Sequence, residues 1–395
     1  MLDLALSPHP LVFPVFAEAA AWRPAAVASA PPLRLRTSAR ALTGMQKEAV
    51  VGGSEGPLWR LVCDEGPYLL GTDLAPFPLA FFCVGMVSSY FMELAALAER
   101  HGLRGDWRLQ QDNRYTMEGS ATAGTMRGSA LPVDLQLLSS DSTLNAALAP
   151  LLIEAVAQST AGGLLRTPTT GRFALQHGGR TLALPVTDAS LTGLQRPDGF
   201  DELLPETALG FPPDIISKLR AASVREGVSG GLGTSLSNEQ KRTLHMQGIC
   251  QRRDDGLLEV SVDLFSPLGS RFRFLVEPAE QCLAPRAPSP AMYLAAGIAF
   301  CFLTQMGRYA HIVRRPLTDY RLVQDSALAL PGRAGHAAPA MVPLQTAVFI
   351  DSSNDDDHAR QVVLMSEQTC FLHAACRQRV GIRLKPPLLD SVRAD

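Results

Sequence analysis

APSPAMYLAAGIAFCFLTQMG, residues 287–307, carries no charged residue and is about long enough to span a bilayer. Prolines at its start shorten the helical part. Thr304 and Gln305 fall late in it. The stretch reads as a buried central helix of a soluble domain. A second copy gives it weight. APFPLAFFCVGMVSSYFM, residues 75–92, also opens Ala-Pro-x-Pro. Seven residues past the second proline both stretches have a glycine, Gly85 and Gly297, and eleven past it stand Ser89 and Cys301. Both run on into alternating, strand-like segments, WRLQQD (107–112) and YRLVQD (320–325).

A second match keeps the same offset. LIEAVAQSTAGGLLR (152–166) lies over VLMSEQTCFLHAACR (363–377), with Ser159 over Cys370. The offset is 212 in the first block and 211 in the second, which argues for tandem duplication. Upstream, GMQKEAVVGGSEGPLWRLV (44–62) resembles HMQGICQRRDDGLLEVSV (245–262). The organisation expected is an extension over 1–40, a first repeat over 41–195, a linker over 196–240 and a second repeat over 241–395. Within the linker, SGGLGTS (229–235) reads as a flexible link, and Asp214–Ala222, preceded by Pro212 and Pro213, as a short helix. Each repeat runs strands, long apolar helix, strands, helix, which is an α+β pattern.

At 395 residues, 46% of them apolar and 19% charged, the chain can bury a large core. Its net charge of −2 gives no electrostatic reason to expect nucleic acid or an anionic membrane as partner. Seven scattered cysteines make a poor disulfide framework and suit a reducing, cytoplasmic setting. The apolar start, with Asp3 in place of a basic region and interrupted by Pro8, Pro10 and Pro14, reads as an extension and not a signal peptide.

These landmarks resemble the OsmC/organic hydroperoxide resistance (Ohr) family. The resemblance rests on the spacing from Pro290 to Cys301 into the central helix, the second cysteine, Cys370, in SEQTCFLHAAC, and the strand-rich start. It implies a fold of antiparallel strands around a long central helix, with two such domains forming an intramolecular pseudo-dimer. It also implies a thiol-dependent peroxidase without a cofactor, whose partners are an organic hydroperoxide and a reducing thiol. Cys301 would attack the peroxide and become a sulfenic acid, and Cys370 would resolve it as a disulfide. Ser89 and Ser159 would leave the first repeat redox-dead. The family's thiolate-supporting arginine would be Arg253, in QRRDDG (251–256), with Arg273 as a second candidate and Glu277 to orient either. The family's glutamate after the helix proline is absent, since Ala291 and Leu79 stand there. An apolar pocket between the central helices would favour a hydrophobic peroxide. The alternative is a non-catalytic protein that holds an apolar or thiol-containing small molecule in that pocket.

Cys370, His373 and Cys376 fan across too much helix surface for one tetrahedral ion, and no fourth ligand stands near them, so no metal is expected. His373 reads as a polar residue at a helix edge. SSNDDDHAR (352–360) reads as a solvated turn with an Asp capping the next helix.

Overall fold

The computed structural model describes residues 10–15, 20–24, 33–185, 194–203, 214–221, 236–280, 282, 284–330 and 344–389. The chain is α+β, with two sheets dominated by antiparallel pairs. The period-2 pattern makes the strands. In β11 (Glu239–Arg252) Leu244, Met246, Gly248 and Cys250 turn inwards, and in β5 (Arg108–Ser120) Leu109, Tyr115 and Met117 do so.

The first sheet runs β1 (Val12–Val15), β4 (Leu58–Cys63), β3 (Lys47–Gly52), β2 (Leu33–Ala41), β14 (Asp319–Leu328), β15 (Gln345–Asp351), β8 (Arg172–His177) and β9 (Arg180–Leu182). The second runs β10 (Ile216–Arg220), β13 (Arg271–Val276), β12 (Leu258–Ser266), β11, β5, β7 (Val133–Ser139) and β16 (Ile382–Leu384). β6 (Arg127–Ala130) pairs with β5, and β17 (Leu388–Leu389) with β7. The order is the same in both: strands from one half, then two from the other, then a parallel strand returning from the first. The halves have exchanged strands. At one seam Arg36 on β2 holds Asp325 on β14 through two hydrogen bonds of 2.7 Å.

Between the sheets lie two helices, α1 (Pro78–Arg100) on β11, β12 and β5, and α4 (Pro290–Ile312) on β2, β3 and β14. They are long and apolar enough to cross a membrane, but 83% and 89% of their apolar windows are buried inside the protein. The helices also pack on each other. A Cβ on Gly85 would come within 2.6 Å of the Pro290 carbonyl, and one on Gly297 within 2.8 Å of the Phe82 nitrogen. The repeated glycine is thus the point where each backbone meets the other helix. Aromatic rings fill the space around the crossing, with Phe81 against Phe300 at 5.1 Å and Phe274 at 5.5 Å.

Around this centre, α2 (Ser142–Gln158) and α3 (Thr160–Arg166) pack on α1, and α5 (Asp356–Thr369) and α6 (Phe371–Arg377) on α4. Asp355 caps α5, accepting the His358 N–H at 2.7 Å.

Three expectations change. No helix forms over 214–221, the described part of the stretch Asp214–Ala222: Ile216–Arg220 is the strand β10, because pairing along β13 buries Ile216 and satisfies the backbone. β2 begins at Leu33 and β11 at Glu239, so paired structure starts inside the stretches read as extension and linker. β1 and β10 cover the matching edges of the two sheets, against β4 and β13. The flexible link at 229–235 lies outside the described residues.

Candidate active site

Cys370 sits in the break between α5 and α6. Its N–H closes α5 on the Ser366 carbonyl at 2.9 Å, and its ψ of 117° turns the chain away. Its sulfur then accepts the His373 main-chain N–H at 3.5 Å and starts α6. Ser159 does the same in the first half. It ends α2 on the Ala155 carbonyl at 3.1 Å, has ψ 151°, and accepts the Gly162 N–H on its Oγ at 2.9 Å. Any side chain that accepts a hydrogen bond can cap here, so serine and cysteine are interchangeable for the backbone.

The partner sulfur comes from α4. Cys301 and Cys370 are buried neighbours that act on each other's ionisation, and the Leu372 main chain lies close enough to Cys301 to act on it too. The matching contact in the first half is the Ala161 N–H donating to Ser89 Oγ at 3.3 Å. One frame is therefore built twice, once with two thiols and once with two hydroxyls. Both cysteines are free, and they are 2% and 0% exposed.

The surroundings of the two sulfurs differ. His373 is not at a helix edge open to solvent: it is 2% exposed, with Nδ1 3.2 Å from Cys370 Sγ. Its ring lies 5.1 Å from Phe302 and 5.8 Å from Phe173, and Nε2 finds no hydrogen-bond partner among the described residues. Burial opposes an ionised Cys370. The neighbouring Cys301 thiol, the His373 ring and the His373 N–H outweigh it and hold Cys370 well below the ordinary thiol range. Cys301 is pushed well above that range, by burial first and then by Cys370, with Glu65 acting in the same direction.

Glu65 belongs to the loop after β4, in the other half of the chain. Asp64 ties that loop together, accepting the N–H groups of Glu65 at 2.7 Å, Leu74 at 3.0 Å and Thr72 at 3.1 Å. Glu65 then accepts the Tyr68 hydroxyl at 2.8 Å and the Thr304 hydroxyl, one turn past Cys301, at 3.1 Å. Burial raises its pKa, while Lys47 works against the rise. Arg308, two turns past Cys301 on α4, is buried beside Glu65 and Arg242. Burial and Arg242 bring its pKa down to about 9. A buried cluster of opposite charges thus lies along α4 below the thiols.

The arginine read from sequence is elsewhere. Arg253 lies in the β11–β12 turn, engaged with Asp255 and Glu259 at 3.2 Å each. It does not join the thiols, because the hairpin carries its own two acids. Arg273 bonds Ser217 Oγ at 2.9 Å, and Glu277 accepts the Arg286 N–H at 3.0 Å. A different carboxylate, Glu280, reaches the start of α4 and accepts the Ala291 N–H at 3.1 Å. Burial pushes its pKa up to about 7.

Where an apolar pocket is expected between the central helices, Gly85 and Gly297 bring the two backbones into contact at the crossing. A cavity lined by Phe82, Met86, Asn113, Tyr115, Leu165 and Ala375 holds ≈ 10 Å³, room for about one water.

Sequence reasoning missed His373, Glu65 and Arg308 as neighbours of the thiols. Arg308 had a signal: it falls seven residues after Cys301, on the same face of a helix. Glu65 had none, because its contact depends on strand exchange. Comparison with protein-family models, curated proteins and solved structures finds no match to this chain.

Proposed function

We propose that this chain is a thiol-dependent peroxidase of the OsmC/Ohr kind, with the two halves of one chain in the place of a dimer's subunits. The observation that carries the reading is the buried, neighbouring pair Cys301 and Cys370, set in a frame whose other copy holds serines. A pair of neighbouring buried thiols can pass between dithiol and disulfide when little backbone movement is needed to join them. The exchange of strands around two crossed helices supports the pseudo-dimer part of the reading.

The substrate proposed is an organic hydroperoxide. Its O–O bond accepts two electrons from the sulfurs, and an external thiol, most simply a dithiol, reduces the disulfide by exchange. This chemistry suits the cytoplasm, where thiol pools keep the pair reduced. The alternative, an apolar ligand held between the central helices, has less support, since Gly85 and Gly297 bring those helices into contact.

The test is intact mass and free-thiol count after the reduced protein meets one equivalent of cumene hydroperoxide. Rapid loss of two thiols and two hydrogens, mapped to Cys301–Cys370 and absent in Cys301→Ser, is the expected result. Slow oxidation, equal in both proteins, would remove the reading.

A further inference from the structure

Both thiols of the pair are buried, yet they are not equivalent, and the family resemblance alone would make Cys301 the attacking one. The contacts run the other way. On Cys370 Sγ converge the His373 main-chain N–H at 3.5 Å and His373 Nδ1 at 3.2 Å. No such side chain faces Cys301 among the described residues, and Glu65 is fixed by a 3.1 Å bond to Thr304 on the next turn of the same helix. A carboxylate beside a thiol disfavours its ionisation, and hydrogen-bond donors favour it. The other titratable groups near the pair are Tyr115, from β5, and Cys376, from α6. Burial raises both, Cys376 to about 12, so neither competes for the charge near neutral pH.

We propose that Cys370 is the thiolate that attacks the peroxide, that His373 sets it for this, and that Cys301 is the proton donor and then the resolving thiol. The assignment rests on the peroxidase reading above. In the first step Cys370 Sγ bonds to the distal oxygen of the hydroperoxide and the O–O bond breaks. The alkoxide takes the Cys301 proton and leaves as the alcohol, and Cys370 is left as a sulfenic acid. Cys301, its buried neighbour and now ionised, attacks that sulfur. The S–S bond forms and hydroxide leaves, taking a proton from solvent to become water. The two sulfurs have lost two electrons and the peroxide has gained them. Two external thiols restore the pair and leave as their own disulfide.

His373 is well placed for this role. Its ring is fixed between Phe302 and Phe173, so Nδ1 has little freedom to leave the sulfur. The equivalent position in the serine copy is Gly162, so the histidine belongs to the thiol copy alone.

Two measurements test this on the full chain. The first is thiolate absorbance against pH and needs no peroxide. Wild type and Cys301→Ser should show a thiolate step at least one unit below the ordinary cysteine value of about 8.5, and Cys370→Ser should lack it. His373→Phe, which keeps a ring between Phe302 and Phe173, should move the step up, and His373→Asn, which restores a donor near Nδ1, should bring it back down. The second is oxidation by one equivalent of cumene hydroperoxide at pH 7, with dimedone trapping of sulfenic acid. Cys370 in Cys301→Ser should be trapped on the order of 10- to 100-fold faster than Cys301 in Cys370→Ser. The opposite order would overturn the assignment and leave the peroxidase reading standing. A thiolate step that survives in Cys370→Ser would overturn it too. Oxidation in no protein, wild type included, would remove both.

Discussion

At the scale of single residues, burial sets the chemistry. Glu280 is the clearest case outside the thiols. It accepts the Ala291 N–H at the start of α4, and burial raises its pKa to about 7 from an ordinary 4.5. The folded protein therefore holds a proton that the unfolded chain releases near pH 4.5. Between the two values the native state binds more protons, so stability falls as pH rises from about 4.5 to about 7 and then levels. Glu280→Gln keeps an acceptor for Ala291 and removes the charge. It should be more stable than wild type at pH 8, by on the order of 2–3 kcal/mol, and equal to it near pH 4. Denaturant midpoints at the two pH values check this, and an equal gap at both would show that the carboxylate is not the cause. His373 shows why such residues resist reading from sequence. In FLHAAC it looks like one polar residue on a short helix, and only the break at Cys370 turns its ring inward onto the sulfur.

Among the elements, the paired breaks α2–α3 and α5–α6 are the most informative. Each places a capping side chain against a central helix, and the backbone geometry is nearly the same with serine or cysteine. The repeats made that correspondence legible, down to Ser89 over Cys301 and Ser159 over Cys370. They could not show that the helix stops at Cys370, because ψ at a cap leaves no mark in the apolar pattern. The frame predicts that Ser89→Cys with Ser159→Cys restores a second dithiol. A strong thiol oxidant should then remove four free thiols from the two pairs, against two in wild type, and either single change alone should remove two. With Gly162 in place of a histidine, the new pair should react with cumene hydroperoxide at least ~10-fold more slowly than Cys301–Cys370, if a donor is worth about one pKa unit. Equal rates would mean that the shared frame, and not His373, sets reactivity.

For the whole molecule, the sequence pattern showed two repeats but not how they pair, since hydrophobic alternation specifies a face and says nothing of which strand lies alongside. The seams decide it: β2 pairs with β14 over Leu33–Arg40, and β11 with β5 over Glu239–Cys250. Each half alone would expose an unpaired edge in β2 or β11, and one apolar face of α1 or α4. The crossing at Gly85 and Gly297 would also be lost, leaving both backbones without the surface that excludes water from them. The thiol site spans the halves as well, with Glu65 from one and Cys301, Cys370 and His373 from the other. The halves should therefore fold as a single cooperative unit and not as two domains. Cutting the chain between residues 221 and 236 gives the test. Each fragment expressed alone should lack cooperative thermal unfolding and expose apolar surface to a reporter dye. The two expressed together should copurify, melt in one transition and recover the Cys301–Cys370 reaction. If either fragment alone melts cooperatively and keeps its thiol reactivity, the exchanged strands are not what holds the site. The geometry argues against that outcome, because no fragment contains both a complete sheet and the two crossed helices.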